Sequence, residues 1–108
     1  MIVVHEPYTS LILDGVKTHE LRATRICGPK YLACSTTHRV KAFVHFGESR
    51  LLSEDEYQAT FHEHRCQDKK KRYKTTWATK ILRVTPLKKR VPYRAERGAI
   101  GYARYYGA

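Results

Sequence analysis

The segment that decides the fold reads Pro7-Tyr8-Thr9-Ser10-Leu11-Ile12-Leu13-Asp14-Gly15-Val16-Lys17-Thr18-His19-Glu20-Leu21-Arg22. Proline is well tolerated in the first turn of a helix, because no intrahelical hydrogen bond is lost there. Tyr8, Leu11 and Ile12 follow at the spacing of one helical face. Gly15 can adopt the left-handed conformation that commonly ends a helix. We therefore predict a short helix that begins at Pro7 and ends at Gly15.

A strand is predicted directly after this helix. Side chains alternate between the two faces of a strand, so Thr18, Glu20 and Arg22 share one face, with Lys17 at its start. Such a row of polar groups is unusual for a strand that only fills a core, and one interpretation, which the family resemblance described below favours, is a functional cleft. The simpler alternative is an ion network among Lys17, Glu20 and Arg22 that ties the helix to the rest of the fold.

Two blocks of the sequence resemble the ASCH (activating-signal-cointegrator homology) family, within the PUA-like superfamily of small β-barrels. The family pattern begins with Pro-Tyr, Gly-x-Lys-Thr and Glu-x-Arg. Several members later show Trp, Pro-Leu, Pro-Tyr and Gly-x-x-Gly before the last strand. The matching positions are Pro7-Tyr8, Gly15-Val16-Lys17-Thr18, Glu20-Leu21-Arg22, Trp77, Pro86-Leu87, Pro92-Tyr93 and Gly98-Ala99-Ile100-Gly101.

The resemblance implies one ASCH domain over residues 1–108, of the α+β class and mainly β. The expected fold is a small PUA-like barrel of about six strands with two short helices. It also implies a cleft between the barrel and the first helix. Some family members are hydrolases, either ribonucleases or amidohydrolases that act on acetylated cytidine. In such an enzyme Lys17, Thr18 and Glu20 would be catalytic, although Glu20 stands where the deacetylating branch has a hydroxyl residue.

Elements along the chain are predicted from periodicity and turn signals. The predicted strands are Ile2–His5, Thr18–Arg22, Tyr31–Ser35, Val40–Phe46, Thr75–Leu87 and Ala99–Tyr106. Within the fourth strand, alternation assigns Val40, Ala42, Val44 and Phe46 to the core. Gly47 is expected to end that strand. The predicted connections are a loop at Ala23–Lys30, a flexible basic loop at Asp68–Lys74 and a turn at Lys88–Arg90.

The second helix is predicted from Ser53 to about His64. Ser53 and Glu56 have the spacing of a capping box, in which each side chain bonds the backbone of the other residue. Tyr57 and Phe61 are four residues apart and are expected to pack inward together.

Composition narrows the class of protein. The chain has 108 residues, 42% of them hydrophobic, which suits one folded domain. No apolar run approaches the length of about 20 residues that spans a membrane. The N-terminal sequence lacks the pattern of a secretory signal. Because three cysteines cannot all pair, Cys27, Cys34 and Cys66 are predicted to be free thiols. We expect an intracellular protein, cytoplasmic or nuclear, with no cofactor and no membrane partner.

Positive charge is concentrated in the second part of the chain. The formal net charge is +11. Residues 1–64 carry seven basic and eight acidic side chains, whereas residues 65–108 carry fourteen basic and two acidic ones. A one-sided basic surface is typical of proteins that bind a polyanion. It predicts a nucleic-acid partner, with RNA favoured over DNA. The simpler alternative is a solubilising surface, which usually mixes both signs.

The candidate nucleic-acid-binding residues form two groups. Those of the predicted cleft are Tyr8, Lys17, Glu20 and Arg22. Those of a basic belt are Lys69, Lys70, Lys71, Arg72, Lys74, Trp77, Lys80, Lys88, Lys89, Arg90, Tyr93, Arg94, Arg97, Arg104 and Tyr105. Cations neutralise phosphates, and flat aromatic rings stack on unpaired bases. The simpler alternative for Trp77 is a core position.

A metal site near the end of the second helix is a weaker alternative. His62 and Cys66 are one helical turn apart, which is a spacing that can share a metal ion. Cys34 and His38 would have to supply the remaining ligands, and the spacing matches no common zinc module. The sequence therefore favours a buried thiol at the end of an amphipathic helix, and we predict no metal.

These patterns predict a nucleic-acid-binding module that uses the cleft and the basic belt. One alternative is a hydrolase that acts on RNA or on a modified nucleoside. The other is an adaptor that docks its basic face on an acidic protein.

Overall fold

Five strands and three short helices make up residues 1–92, the part of the chain that this computed structural model describes. The strands are β1 (Ile2–Val4), β2 (His19–Arg22), β3 (Gly28–Cys34), β4 (Arg39–Leu51) and β5 (Trp77–Pro92). The helices are α1 (Tyr8–Leu13), α2 (Glu54–Ala59) and α3 (Phe61–His64). The predicted closing strand Ala99–Tyr106 lies outside the described residues.

The five described strands form one sheet in the order β1-β3-β4-β5-β2. β1 pairs in parallel with β3, and the other neighbouring strands are antiparallel. The sheet curls into a half-barrel, so the edge strands β1 and β2 lie at its open side. The predicted class, α+β and mainly β with a barrel-like sheet, is confirmed.

One face of β4 supplies much of the core. Val40, Ala42 and Val44 are fully buried and Phe46 is 6% exposed, as the alternation predicts. Ala42, Val44 and Phe46 pack with apolar side chains of β1, β3 and α1 in one cluster. Burial of Ile12 in this cluster fixes α1 against the sheet, and thereby places the segment that follows it.

β4 does not end at Gly47, contrary to the prediction. It continues to Leu51, with a register shift between Phe46 and Ser49. A Cβ atom at Gly47 would lie 2.9 Å from side-chain atoms of Leu82 on the neighbouring strand. A larger residue here would displace the exposed Leu82 side chain, and Gly47 marks an irregularity within the strand.

The predicted turn at Lys88–Arg90 is also wrong, because these residues belong to β5. β5 runs to Pro92 and pairs its Val91 with Val40 of β4. Lys88 and Lys89 are exposed, so the strand tolerates their like charges. Lys88–Arg90 lie within a register shift, between Pro86, which pairs with Ala42, and Val91, so the pairing on either side carries the strand past the local turn signal.

β3 begins at Gly28, not at Tyr31, so the predicted loop Ala23–Lys30 is too long. Pairing of β1 with β3 covers only Leu32–Cys34. Pro29 therefore lies where one side of β3 has no described strand beside it, and proline is tolerated at such an edge.

The predicted second helix is divided in two at Thr60. The Ser53 and Glu56 capping box is present. The Thr60 hydroxyl donates to the Glu56 carbonyl at 2.7 Å and shares it with the Thr60 N–H at 3.0 Å, an arrangement that often bends a helix. Tyr57 is buried as predicted, but Phe61 is 46% exposed, so the inward prediction for Phe61 is wrong. The break at Thr60 separates the two side chains onto different helices.

Two further predictions from the sequence concern the state of the three cysteines and the presence of membrane-spanning helices. All three cysteines are free thiols, as predicted: Cys27 is exposed, Cys34 is buried and Cys66 is partly buried. None of the helices within residues 1–92 combines the length and apolar character that crossing a membrane requires.

Candidate functional site

The end of α1 positions Lys17. Gly15 has a φ of +76°, the left-handed conformation that the sequence predicts. The N–H groups of Val16 and Lys17 then both donate to the Leu11 carbonyl at 3.0 Å. This tight return directs the Lys17 side chain into the protein, where only 1% of the residue is exposed.

A cleft lies at the open side of the half-barrel, lined by residues from the edge strands β1 and β2. Its volume is about 220 Å³. Arg22 of β2 bridges the gap, because its Nη2 atom donates to the Val3 carbonyl of β1 at 2.6 Å. Tyr8 of α1 and Cys66, which follows α3, also line the cleft. The open side of the described sheet therefore contains a partly open cleft with both polar and apolar walls.

Lys17, Glu20 and Arg22 form a row of alternating charge in this cleft, which we call the charged row. Lys17 Nζ lies 3.5 Å from Glu20 Oε1. Arg22 Nε donates to Glu20 Oε2 at 3.1 Å. Glu20 is 6% exposed, so its carboxylate is buried between two cations. The predicted cleft and the predicted ion network are thus the same residues.

Lys17 is also anchored on its other side. Its Nζ atom donates to the His64 carbonyl and lies 3.8 Å from Cys66 Sγ. The same atom is 5.3 Å from the centre of the Tyr8 ring, within range of a cation–π contact. Burial raises the pKa of the Cys66 thiol, and the Lys17 ammonium opposes that rise. The cleft therefore contains a protonated thiol beside a lysine.

His64 holds this side of the cleft in place as a neutral ring. Its Nδ1 atom accepts from the Cys66 backbone N–H at 2.9 Å, so the ring proton is on Nε2, which donates to the Tyr57 carbonyl at 2.8 Å. The imidazole stacks on the Tyr57 ring with centroids 4.5 Å apart. Protonation would place a second N–H opposite the N–H of Cys66.

Stability is expected to fall in mild acid because of His64. Burial lowers the pKa of His64 below its ordinary value of 6.5; the bond to the Tyr57 carbonyl and Glu63 oppose this, whereas Lys17 and His62 reinforce it. Below about pH 6.5 the unfolded chain therefore binds a proton that the folded chain does not, so the free energy of unfolding decreases as pH falls.

Urea unfolding at about pH 7.5 and about pH 5.5 tests this expectation. His64→Gln should lose less stability between the two pH values than the parent protein does. His45→Gln is the matched control, because His45 is exposed and is not among the groups that shift the pKa of His64, so it should keep the parent dependence. Burial also lowers the pKa of His19. Because His19 is present in all three proteins, it contributes equally to the pH dependence of each. Equal pH dependence in the parent and His64→Gln would contradict the assignment.

Thr18 lies outside the cleft, contrary to the prediction that it shares a face with Glu20 and Arg22. β2 begins only at His19, so strand alternation does not extend to Thr18. Its hydroxyl bonds His19 Nδ1 at 2.9 Å, and its N–H donates to the Glu63 carbonyl at 2.8 Å. The residue is exposed and does not line the cleft.

The basic loop Asp68–Lys74, predicted to be flexible, is attached to α2 by hydrogen bonds. Tyr57 Oη donates to the Asp68 carbonyl at 2.6 Å. Lys71 Nζ donates to the carbonyls of Tyr73 and Lys74, at 3.1 and 2.6 Å. Lys71 therefore stabilises the loop, whereas its predicted role was nucleic-acid binding.

The remaining loop cations stay at the surface. Lys69, Lys70, Arg72 and Lys74 are exposed. Arg72 and Asp68 also line the cleft, and Arg72 Nε lies 3.8 Å from Asp68 Oδ2. The basic loop thus reaches the mouth of the cleft.

The rest of the predicted belt is spread along β5. The strand begins at Trp77, two residues later than predicted, and one face of the Trp77 ring is covered by Arg25, whose Cζ atom is 4.3 Å from the ring centre. Lys80, Lys88 and Lys89 are exposed. The Arg90 side chain and the whole of Tyr93, Arg94, Arg97, Arg104 and Tyr105 lie outside what the structure describes.

The metal alternative finds no support within residues 1–92. In that range no three His, Cys, Asp or Glu side chains come together as metal ligands would. His64, and not His62, is the histidine beside Cys66, and both of its ring nitrogens are hydrogen-bonded to backbone groups.

Sequence reasoning missed several residues of the cleft. Cys66, Tyr57 and Tyr73 line the cleft and His64 contacts Lys17 beside it, and all four come from the second half of the described chain. Nothing local in the sequence links them to Lys17, which is 47 residues before His64. The only signal was the proximity of the thiol to the end of the second helix.

No protein-family model matches this chain, and no curated protein matches it in sequence.

Proposed function

We propose that this protein is an ASCH-type nucleic-acid-binding module, with RNA favoured over DNA. It holds one nucleotide in the cleft while the basic loop contacts the phosphates next to it. The observation that carries the proposal is the position of Arg72, which belongs to the basic loop and also lines the cleft that contains the charged row. A base inside the cleft would therefore keep its phosphate within reach of the loop cations.

The size and walls of the cleft support a single base as the group that enters. A volume of about 220 Å³ is below the range of roughly 300–1,000 Å³ that is usual for drug-sized ligands. Three tyrosines line it, Tyr8, Tyr57 and Tyr73, and aromatic rings are common partners of unpaired bases. A flat, small, polar heterocycle suits such a space better than an extended peptide does.

The hydrolase alternative has weaker support. The Lys17 ammonium next to the Glu20 carboxylate is an arrangement that can transfer protons. However, Thr18 is exposed and outside the cleft, so a mechanism that needs its hydroxyl beside Lys17 lacks that group. The adaptor alternative uses the basic loop but gives the cleft no role.

The test is incubation with labelled single-stranded RNA and DNA of equal sequence, with and without a divalent metal, on native and denaturing gels. We expect RNA to be retarded on the native gel, more strongly than DNA, and to remain intact on the denaturing gel. Metal-dependent cleavage would favour the ribonuclease alternative. Absence of retardation for both nucleic acids at physiological salt would overturn the proposal and leave the adaptor.

A further inference from the structure

The charged row keeps hydrogen-bonding capacity that the protein itself does not use. The Lys17 ammonium has three hydrogens; one is donated to His64, the thiol contact is weak, and 3.5 Å to Glu20 is long for a hydrogen bond. Arg22 uses Nε and Nη2, so Nη1 has no hydrogen-bond partner within residues 1–92. A carboxylate offers about four lone-pair positions; Arg22 Nε takes one on Oε2, and Lys17 lies 3.5 Å from Oε1 as an ion pair.

The charged row therefore presents a donor, Lys17, then an acceptor, Glu20, and then a second donor, Arg22, to a ligand in the cleft. A ligand complementary to it has acceptor, donor, acceptor along one edge. The imide edge of uracil or thymine has this order, because an N–H lies between two carbonyl groups. We propose, on the basis of the nucleotide-binding function above, that the cleft selects a pyrimidine-2,4-dione base, which in RNA is uracil.

The other bases match this row less well. Cytosine and adenine present a ring nitrogen acceptor at the middle position of the Watson–Crick edge, where it would face the Glu20 carboxylate. Both also present an amino group, which would face a cation. Guanine matches the row with one carbonyl and its ring N–H, but it has an amino group where the second carbonyl of uracil would be. An acceptor held against a buried carboxylate leaves both groups unsatisfied, which is the strongest basis for rejecting a base.

The place of Glu20 between two cations supports this assignment. Each oxygen of the carboxylate faces a different cation, Lys17 at 3.5 Å and Arg22 at 3.1 Å. The donors are thus fixed on opposite sides of the acceptor. Arg22 is further held by the Val3 carbonyl and Lys17 by the His64 carbonyl, so the row is preorganised.

The ligand-side test uses three oligoribonucleotides of about ten residues, of uridine, cytidine and N3-methyluridine, with the unmodified protein. Their backbones are the same, so phosphate contacts are equal. Uridine should bind about tenfold more tightly than cytidine. The affinity for the N3-methyluridine oligonucleotide should be as low as that for cytidine, because methylation removes the central donor of the uracil edge. Equal affinity of all three would overturn base selection while leaving nucleic-acid binding intact. No binding of any of them would overturn both proposals.

The protein-side test is Glu20→Gln, which replaces the central acceptor by an amide of the same shape. It should lower the affinity for uridine to about the level of cytidine, because the acceptor for the imide N–H is lost, so most of the preference disappears. Glu48→Gln is the matched control, because Glu48 is exposed on β4 and does not line the cleft. Thermal melting of both variants checks that they are folded. If Glu20→Gln does not fold, the oligonucleotide comparison above still tests the proposal, because it uses the unmodified protein. A folded Glu20→Gln that keeps the full preference would overturn the assignment.

Discussion

Replacing Lys17 by alanine should lower the free energy of unfolding by about 3–5 kcal/mol, the usual cost of removing one partner from a buried ion pair. Lys17 is 1% exposed, and its ammonium is shared by Glu20 and the His64 carbonyl. The substitution leaves a cavity, an unpaired carbonyl, and a buried carboxylate with one cation instead of two. Chemical denaturation followed by fluorescence of Trp77 measures the change.

Two comparisons separate the causes of that loss. Lys17→Met keeps most of the side-chain volume and should recover part of the stability, because the cavity is filled. Lys80→Ala removes an exposed lysine and should change stability by less than about 0.5 kcal/mol. A loss below about 1 kcal/mol for Lys17→Ala, as for a solvent-exposed ion pair, would show that Lys17 is not buried in solution.

The second large effect is expected on RNA affinity. Glutamine at Lys69, Lys70, Arg72 and Lys74 removes the exposed cations of the basic loop but leaves Lys71, which holds the loop together. Each lost phosphate contact should reduce the slope of log K against log salt by about 0.7. At about 0.1 M salt this is a loss of about fivefold per contact, so four contacts give a loss of several hundredfold.

The matched control conserves charge at the same four positions. Lys69→Arg, Lys70→Arg, Arg72→Lys and Lys74→Arg together should keep the salt dependence of the parent protein. Fluorescence anisotropy with one labelled oligonucleotide over a salt series measures both variants. If the glutamine variant binds RNA with the parent affinity and slope, the loop does not contact phosphates.

Features set by neighbours in sequence could be predicted from the sequence. The left-handed Gly15 and the Ser53 and Glu56 capping box each depend on a few consecutive residues. The core face from Val40 to Phe46 follows from alternation alone. Errors arose where a distant contact decides the local structure. Gly47 is approached closely by Leu82, 35 residues later, and the strand passes through Lys88 and Lys89 because Pro86 and Val91 on either side pair with β4.

The cleft was predicted only in part, for the same reason. Glu20 and Arg22 face it because strand alternation holds within β2. Thr18 does not, because it precedes the strand and bonds to Glu63. Long-range contacts bring His64 and Cys66 to Lys17, and one sequence contains no signal for these contacts.

Protection of Cys66 from alkylation by bound RNA tests the central claim most directly. Cys66 lines the cleft, whereas Cys27 is exposed and does not, so the two thiols report on the site and on a reference position in one molecule. The reaction is run at mildly alkaline pH, because burial raises the pKa of Cys66. Mass spectrometry then gives the rate at each thiol with and without a saturating uridine oligonucleotide. The account predicts that RNA slows modification of Cys66 and leaves Cys27 unchanged. An unchanged rate at Cys66 under saturating RNA would show that the nucleotide does not enter the cleft.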